Sequence, residues 1–201
     1  MSTLVRGTAG RRARRLLVLL FLFLGAGWHS ALAQERAGST NPSQEGGAYR
    51  RPLGNDPATL DPAGIRDTYG LAVVQQLFDG LVRFDQTLSI TPALAQFWRA
   101  SRDGLAWTFT LRKGVKFHNG QEVTAEDVVY SFTRILDPKE RSGVADLFLG
   151  IQGAVAFREG KAPSVSGLSA SDRYTLQVTL IEATVPFVSM LAIGQAKIVP
   201  K

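Results

Sequence analysis

Histidine is the side chain best suited to acid–base or metal chemistry near neutral pH, and this 201-residue chain has two, His29 and His118. His29 lies in an N-terminal segment that we expect to be removed on export. His118 then stands alone in the turn sequence HNG at residues 118–120, and no cysteine exists to share a metal with it. We therefore interpret His118 as a solvent-exposed turn residue and predict no metal site.

Paired carboxylates and nucleophilic serines are the other candidates for catalysis. Glu126 and Asp127 are adjacent, but neighbouring residues of a helix point in different directions, so helix capping explains the pair better. The chain contains no G-x-S-x-G nucleophile elbow and no glycine-rich phosphate loop. Spacing alone does not exclude a Ser-His-Asp triad, because its members are neighbours in space rather than in sequence. We predict a protein that is not an enzyme and has no catalytic residues or cofactor, and keep a secreted hydrolase as the alternative.

The N-terminus has the pattern of a cleavable secretory signal peptide, at residues 1–33. Five arginines and no acids are followed by eleven uncharged, almost wholly apolar residues. This run is too short for a membrane-spanning helix, which needs about 20 residues. The segment ends in Ala31-Leu32-Ala33, which predicts cleavage between Ala33 and Gln34. The general secretory route is favoured, and the Arg11-Arg12 pair leaves the twin-arginine route as the alternative.

The signal peptide also explains the charge of the chain. The formal net charge is +6, and removal of the five signal arginines leaves a mature chain close to neutral. No basic stripe with interleaved aromatic residues follows, so we exclude nucleic acid as a partner. Because no cysteine is available for a lipid anchor or a disulfide, we expect a free periplasmic protein that is stabilised by burial. We also expect it to be a monomer.

The mature chain begins with irregular segments and then shows helical patterns. A flexible lead-in is predicted at residues 34–48, and two Asp-Pro steps predict an ordered loop at residues 55–62. Apolar residues at helical spacing predict a helix at residues 69–80, with a glycine as its stop. The capping box at residues 124–127 predicts a second helix, ended by Asp137-Pro138.

Strand patterns occupy the segments between these helices. Two short apolar runs around a polar turn predict a hairpin at residues 81–90. Strict alternation of apolar and polar residues predicts strands at residues 107–111 and 174–180. Further helices are predicted at residues 148–157 and 186–191.

A series of short strings runs through the mature chain from Tyr49 onward. The strings are TLDP at 59–62, LFDGL at 77–81, PALA at 92–95, WTFTLRKGVKFHNG at 107–120, TAEDVVYSF at 124–132, YTL at 174–176, PF at 186–187 and IVPK at 198–201. Each string alone is weak, but the ordered set is specific. It resembles the extracytoplasmic solute-binding protein family 5 of ABC importers, whose members bind oligopeptides, dipeptides or nickel.

The resemblance implies an α/β fold, the two-lobe clamp of type II periplasmic binding proteins. Members are well over twice as long as this chain, so we expect an N-terminal fragment that lacks the second lobe. The implied organisation is a partial lobe I at residues 49–80 and 186–201, with a β-rich subdomain with helices at 81–185. In peptide-binding members an acidic residue of the second lobe receives the ligand's amino terminus, and no residue of this chain takes that role.

The resemblance also implies a function, the capture of peptides in the periplasm for an ABC permease. A receptor for nickel chelates or other small solutes is the alternative within the family. The loop that faces the cleft in the family corresponds to Arg66, Asp67, Thr68, Tyr69 and Gly70, where a helix start offers free backbone amides. Because closure needs both lobes, we expect residues 34–201 alone to bind no ligand measurably.

Overall fold

The structure is a computed structural model that describes Arg50 and residues 52–201. The predicted signal peptide, its cleavage between Ala33 and Gln34, and the lead-in at residues 34–48 lie outside the described residues. Within the described range, no helix is both long and apolar enough to cross a membrane.

The first helix, α1, spans Thr68–Leu77 and begins after its capping residue Asp67. The sequence predicted a helix that continues to Gly80, but the backbone becomes extended at Phe78. Gly80 instead forms an antiparallel bridge with Lys197, and a Cβ there would lie 3.2–3.3 Å from three backbone oxygens. The predicted helix end is therefore wrong, because this glycine serves close backbone packing rather than a helix stop.

The segment before α1 is irregular, as predicted for residues 55–62. A single 3₁₀ turn, Pro62–Gly64, interrupts it. Asp61 begins this turn, since its carboxylate accepts a hydrogen bond from the Ala63 N–H at 3.2 Å. This short turn leads the chain into the start of α1.

A two-stranded hairpin follows α1, made of β1 (Val82–Phe84) and β2 (Ile90–Pro92). Its turn is organised by Asp85, whose carboxylate accepts hydrogen bonds from the N–H groups of Thr87 at 2.8 Å and Ser89 at 2.9 Å. The predicted hairpin is confirmed.

The main sheet has four antiparallel strands in the order β3-β4-β6-β5. The strands are β3 (Ala95–Ala100), β4 (Ala106–Leu111), β5 (Leu168–Asp172) and β6 (Thr175–Thr179). Alternation predicted the central pair, β4 and β6. The edge strands β3 and β5 were missed, because each buries only its first residue fully, Ala95 and Leu168.

The long helix α2 spans Ala125–Leu136 and packs against β5 and β6. Its apolar face is buried, with Val128, Phe132 and Ile135 each no more than 1% exposed. The predicted helix and its end at Asp137 are confirmed. The amphipathic pattern therefore places α2 across one side of the sheet, where it closes the core.

The connection after α2 contains a 3₁₀ turn at Ala145–Phe148 and a short helix, α3, at Ala154–Arg158. The continuous helix predicted at residues 148–157 is wrong. Ile151 forms an antiparallel bridge with Leu180, so the chain must leave the helical path there. It resumes at Gly153, whose φ of 78° suits glycine.

The last helix, α4, spans Phe187–Met190, within the range predicted for it. The closing segment then returns beside the end of α1. The Ile198 N–H donates to the Asp79 carbonyl oxygen at 3.0 Å, and the Val199 N–H donates to Ser131 Oγ on α2 at 3.0 Å. The closing segment is thus bonded both to the chain just after α1 and to α2.

Candidate functional site

The predicted ligand loop, residues 66–70, forms the entry to α1. Asp67 uses its Oδ1 to accept a hydrogen bond from the Gly70 N–H at 2.7 Å. The first-turn N–H groups of Thr68 and Tyr69 have no acceptor within the helix, as helix geometry requires. Both residues are exposed. The loop therefore offers two backbone donors that a ligand could use.

Gly70, unlike Thr68 and Tyr69, offers no free backbone donor. It is buried, and a Cβ there would lie 3.4 Å from the carbonyl oxygen of Thr59. Its N–H is already bound by Asp67. Gly70 therefore lets the start of α1 pack closely against residue 59.

Arg66 and Tyr69 are the two large side chains of the loop. Tyr69 is 39% exposed, and its ring packs so closely on Gly54 that a Cβ there would lie 2.9 Å from a ring carbon. Arg66 is exposed and its guanidinium donates to the backbone carbonyl of Arg141. The loop is thus flanked by the chain around residue 54 and by the turn after α2.

Arg134, Asp61 and Glu140 form an ion-pair network next to the segment that precedes the loop. The Arg134 guanidinium on α2 donates to both carboxylate oxygens of Asp61, with Nη1 to Oδ1 at 3.2 Å, and to Glu140 at 3.2 and 3.3 Å. These hydrogen bonds, those to Asp61 first, raise the pKa of Arg134 above its ordinary value. The sequence predicted only an ordered loop around Asp61. Its arginine partner was missed because the two residues are 73 positions apart.

His118 lies where the sequence placed it, exposed in a turn closed by the Gly120 N–H to Phe117 carbonyl hydrogen bond of 2.9 Å. It also borders a groove of about 520 Å³. Its lining combines apolar residues, such as Leu77 and Ile198, with polar ones, such as Asp79 and Asn119. The sequence did not predict this groove, because its walls come from four separate segments.

The adjacent acids Glu126 and Asp127 behave as helix-capping residues. Asp127 Oδ2 accepts from the Thr124 N–H at 2.8 Å and from the Thr124 hydroxyl at 2.6 Å. Glu126 points elsewhere and pairs with the Lys201 ammonium at 3.1 Å. Among residues 52–201, no three His, Cys, Asp or Glu side chains are grouped so that they could hold a metal ion.

Comparison with known proteins supports the resemblance. Residues 89–201 match the family described as bacterial extracellular solute-binding proteins, family 5 Middle. The periplasmic murein peptide-binding protein MppA of Escherichia coli is 39% identical over 145 residues, which cover 71% of this chain and 27% of MppA. The probable deoxycholate-binding periplasmic protein YgiS of E. coli is 38% identical over 141 residues, which cover 69% of this chain and 26% of YgiS.

The fold agrees with solved structures of such proteins. The crystal structure of Haemophilus influenzae OppA in complex with the peptide RPPGFSPFR matches 74% of this chain and 29% of that chain. The TM-score is 0.70 and the sequence identity is 30%. This match confirms the predicted α/β fold as part of a two-lobe periplasmic binding protein. The chain spans about a quarter of the length of the curated relatives it matches.

Proposed function

The chain belongs to family 5 of the bacterial extracellular solute-binding proteins, and on that premise we propose that it captures peptides in the periplasm for import by an ABC permease. The observation that carries the proposal is the likeness to peptide-bound OppA over 74% of this chain. The protein works as a monomer that carries out no chemistry on its ligand. Export through the signal at residues 1–33 brings it to that compartment.

The ligand loop gives this function a physical basis. Peptides of varied sequence are best bound through their main chain, because every peptide has the same backbone donors and acceptors. The N–H groups of Thr68 and Tyr69 point out of the start of α1 and suit a peptide carbonyl oxygen. The exposed Arg66 and Tyr69 side chains border the same place. We assign Arg66 to Tyr69 to ligand contact, and Gly70 to the packing that holds them.

We also propose the domain division that the family resemblance implies. Residues 49–80 and 186–201 form part of lobe I, and residues 81–185 form the β-rich subdomain. The hydrogen bond between Ile198 and Asp79 supports the first assignment, because it joins the two lobe segments. The four-stranded sheet and α2, which lie wholly within residues 81–185, support the second.

A non-peptide solute is the second candidate ligand. YgiS, described as a probable deoxycholate-binding protein, is 38% identical to this chain, against 39% for MppA. Identity alone therefore does not separate a peptide receptor from a receptor for small amphipathic solutes. Nickel chelates remain the further alternative within the family, whereas no observation favours the secreted hydrolase.

Thermal unfolding in the presence of each ligand class tests the proposal. A ligand that binds only the native state raises the unfolding temperature, by an amount that grows with the logarithm of its concentration relative to its Kd. The protein, purified as its whole gene encodes it, is heated with mixed tripeptides, with deoxycholate or with a nickel–histidine chelate. We expect a rise with tripeptides alone. A rise with either of the other two and none with tripeptides would overturn the peptide assignment.

A further inference from the structure

We propose that Arg134 is a positioning residue, which holds residues 59–70 in the conformation that presents the ligand loop. This inference rests on the proposed peptide binding, which it deepens by naming a residue outside the loop on which affinity depends. Arg134 itself lies on the last turn of α2 and is not assigned to the ligand.

The guanidinium of Arg134 is bound on two edges. Its Nε and Nη2 donate to the two oxygens of Glu140 at 3.3 and 3.2 Å. Its Nη1 and Nη2 donate to the two oxygens of Asp61, and the Tyr130 ring lies 5.9 Å from its central carbon. A planar fork that binds two carboxylates at once is a geometry that lysine cannot reproduce.

Asp61 transmits this fixed position to the loop. Its N–H donates to Thr59 Oγ1 at 3.0 Å, and its Oδ1 accepts from the Ala63 N–H at 3.2 Å. The 3₁₀ turn that it begins is followed by Ile65, which is 1% exposed and thus held in the core. Arg66 is the next residue, so the position of Asp61 determines the position of the first residue of the ligand loop.

A second contact joins the ligand loop to the turn that follows α2. The Arg66 guanidinium donates to the carbonyl oxygen of Arg141, which follows Glu140 in the turn after α2. Arg141 has a φ of 48°, in the left-handed region that non-glycine residues rarely adopt. Such backbone strain persists only where surrounding contacts maintain it. The Arg134–Glu140 pair and the Arg66 contact are two of the contacts around this turn, beside the Glu140 N–H to Asp137 carbonyl hydrogen bond at 3.1 Å.

The network is suited to local order more than to global stability. The side chains of Arg134 and Asp61 are 19% and 34% exposed, and ion pairs in contact with solvent add little to the free energy of unfolding. Losing the pair would leave the core intact while residues 59–70 sample more conformations. A ligand then binds only the fraction that remains competent, and its apparent affinity falls by that fraction.

The test uses Arg134→Lys and Asp61→Asn in the protein as its whole gene encodes it. Lysine keeps the charge of Arg134 but not its fork, and asparagine keeps the Asp61 turn acceptor but not its charge. Arg158→Lys is the matched control, because Arg158 forms a single ion pair with Asp146 at 3.4 Å, away from the loop. Amide hydrogen exchange and tripeptide affinity are measured on each variant.

We expect both network variants to speed the exchange of the Gly70 and Leu71 amides, with no change in the amides of β4. We expect their affinity for mixed tripeptides to fall about two- to fivefold, the population shift that loss of a partly exposed ion pair allows. The control should match the unsubstituted protein in both measurements. A structural role alone would instead speed exchange in β4 as well.

Three results would overturn the inference. One is faster loop exchange with unchanged tripeptide affinity, which leaves the proposed function standing. Another is equal acceleration in β4, which makes the network structural. The third is an unsubstituted protein that binds no tripeptide, which removes the proposed function and the inference together.

Discussion

The backbone N–H of Lys201 donates a hydrogen bond to Oδ1 of Asp127 over 3.0 Å, although 74 residues separate them. The other oxygen of this carboxylate accepts both hydrogen bonds from Thr124 at the start of α2. Asp127 is 1% exposed, so its carboxylate depends on these protein donors for its hydrogen bonds. One buried carboxylate therefore begins α2 and also fixes the closing segment against it.

Asp127→Ala should destabilise the protein by about 1–3 kcal/mol, because it removes the hydrogen bonds that Thr124 and the Lys201 N–H donate to a buried carboxylate. Urea denaturation measures the loss. Glu126→Ala is the control: its side chain is 66% exposed and holds only the Lys201 ammonium, so it should change stability by about 0.5 kcal/mol or less. Equal midpoints for the two variants would contradict the double role of Asp127.

The two contacts of Asp127, with Thr124 and with Lys201, differ in how well the sequence predicts them. The pairing of Thr124 with Asp127 follows a local spacing rule, and so it was predicted. The contact with Lys201 depends on how the whole chain folds back, and no spacing indicates it. The same limit applies to the Arg134–Asp61 pair, which only the folded chain brings together.

The strands of the main sheet also differ in how well the sequence predicts them. β4 and β6 lie in the middle of the sheet, where one face is buried and alternation is strong, as Phe109 and Leu176 illustrate by being wholly buried. β3 and β5 are edges with little to bury, so their sequence carries no clear period. In the ligand loop, the sequence indicated the helix start but not that Asp67 already binds the Gly70 N–H.

Gly167→Ala should cost about 1–3 kcal/mol through overpacking. A Cβ at Gly167 would lie 2.6 Å from the Thr179 carbonyl oxygen and 2.8 Å from the Gln152 amide nitrogen. Both are backbone atoms that hydrogen bonds hold in place. Gly150→Ala is the control, since its Cβ would meet nothing within 4 Å. If both variants unfold at the same urea concentration, the close packing of Gly167 against Thr179 and Gln152 is contradicted.

Glu122 should make stability depend on pH at the acidic end. Its carboxylate accepts hydrogen bonds from the Gly114 N–H at 2.7 Å and the Tyr174 hydroxyl at 2.9 Å. These bonds, Gly114 first, lower the pKa of Glu122 below its ordinary 4.5. A lowered folded-state pKa gives stability that is present above 4.5 and lost as the pH falls through the folded-state value.

Glu122→Gln checks this dependence. The variant should be less stable than the unsubstituted protein at neutral pH, and the difference should shrink as the pH falls below the ordinary pKa of the carboxyl. Denaturation midpoints across that range measure it. A difference that stays constant with pH would show that the charge of Glu122 contributes nothing.

The backbone donors of the ligand loop provide the most direct test of peptide capture. Thr68 is the first residue of α1, a position where proline is well tolerated because its N–H makes no helical bond. Thr68→Pro therefore deletes one donor without breaking the helix, and Thr68→Ala keeps the donor while removing the side chain.

Calorimetric titration with mixed tripeptides, on the protein as its whole gene encodes it, compares the two variants. We predict that Thr68→Ala binds like the unsubstituted protein and that Thr68→Pro binds roughly fivefold more weakly, the effect of one net hydrogen bond. Equal affinities of the two variants, or no heat of binding from any of the three proteins, would contradict the account.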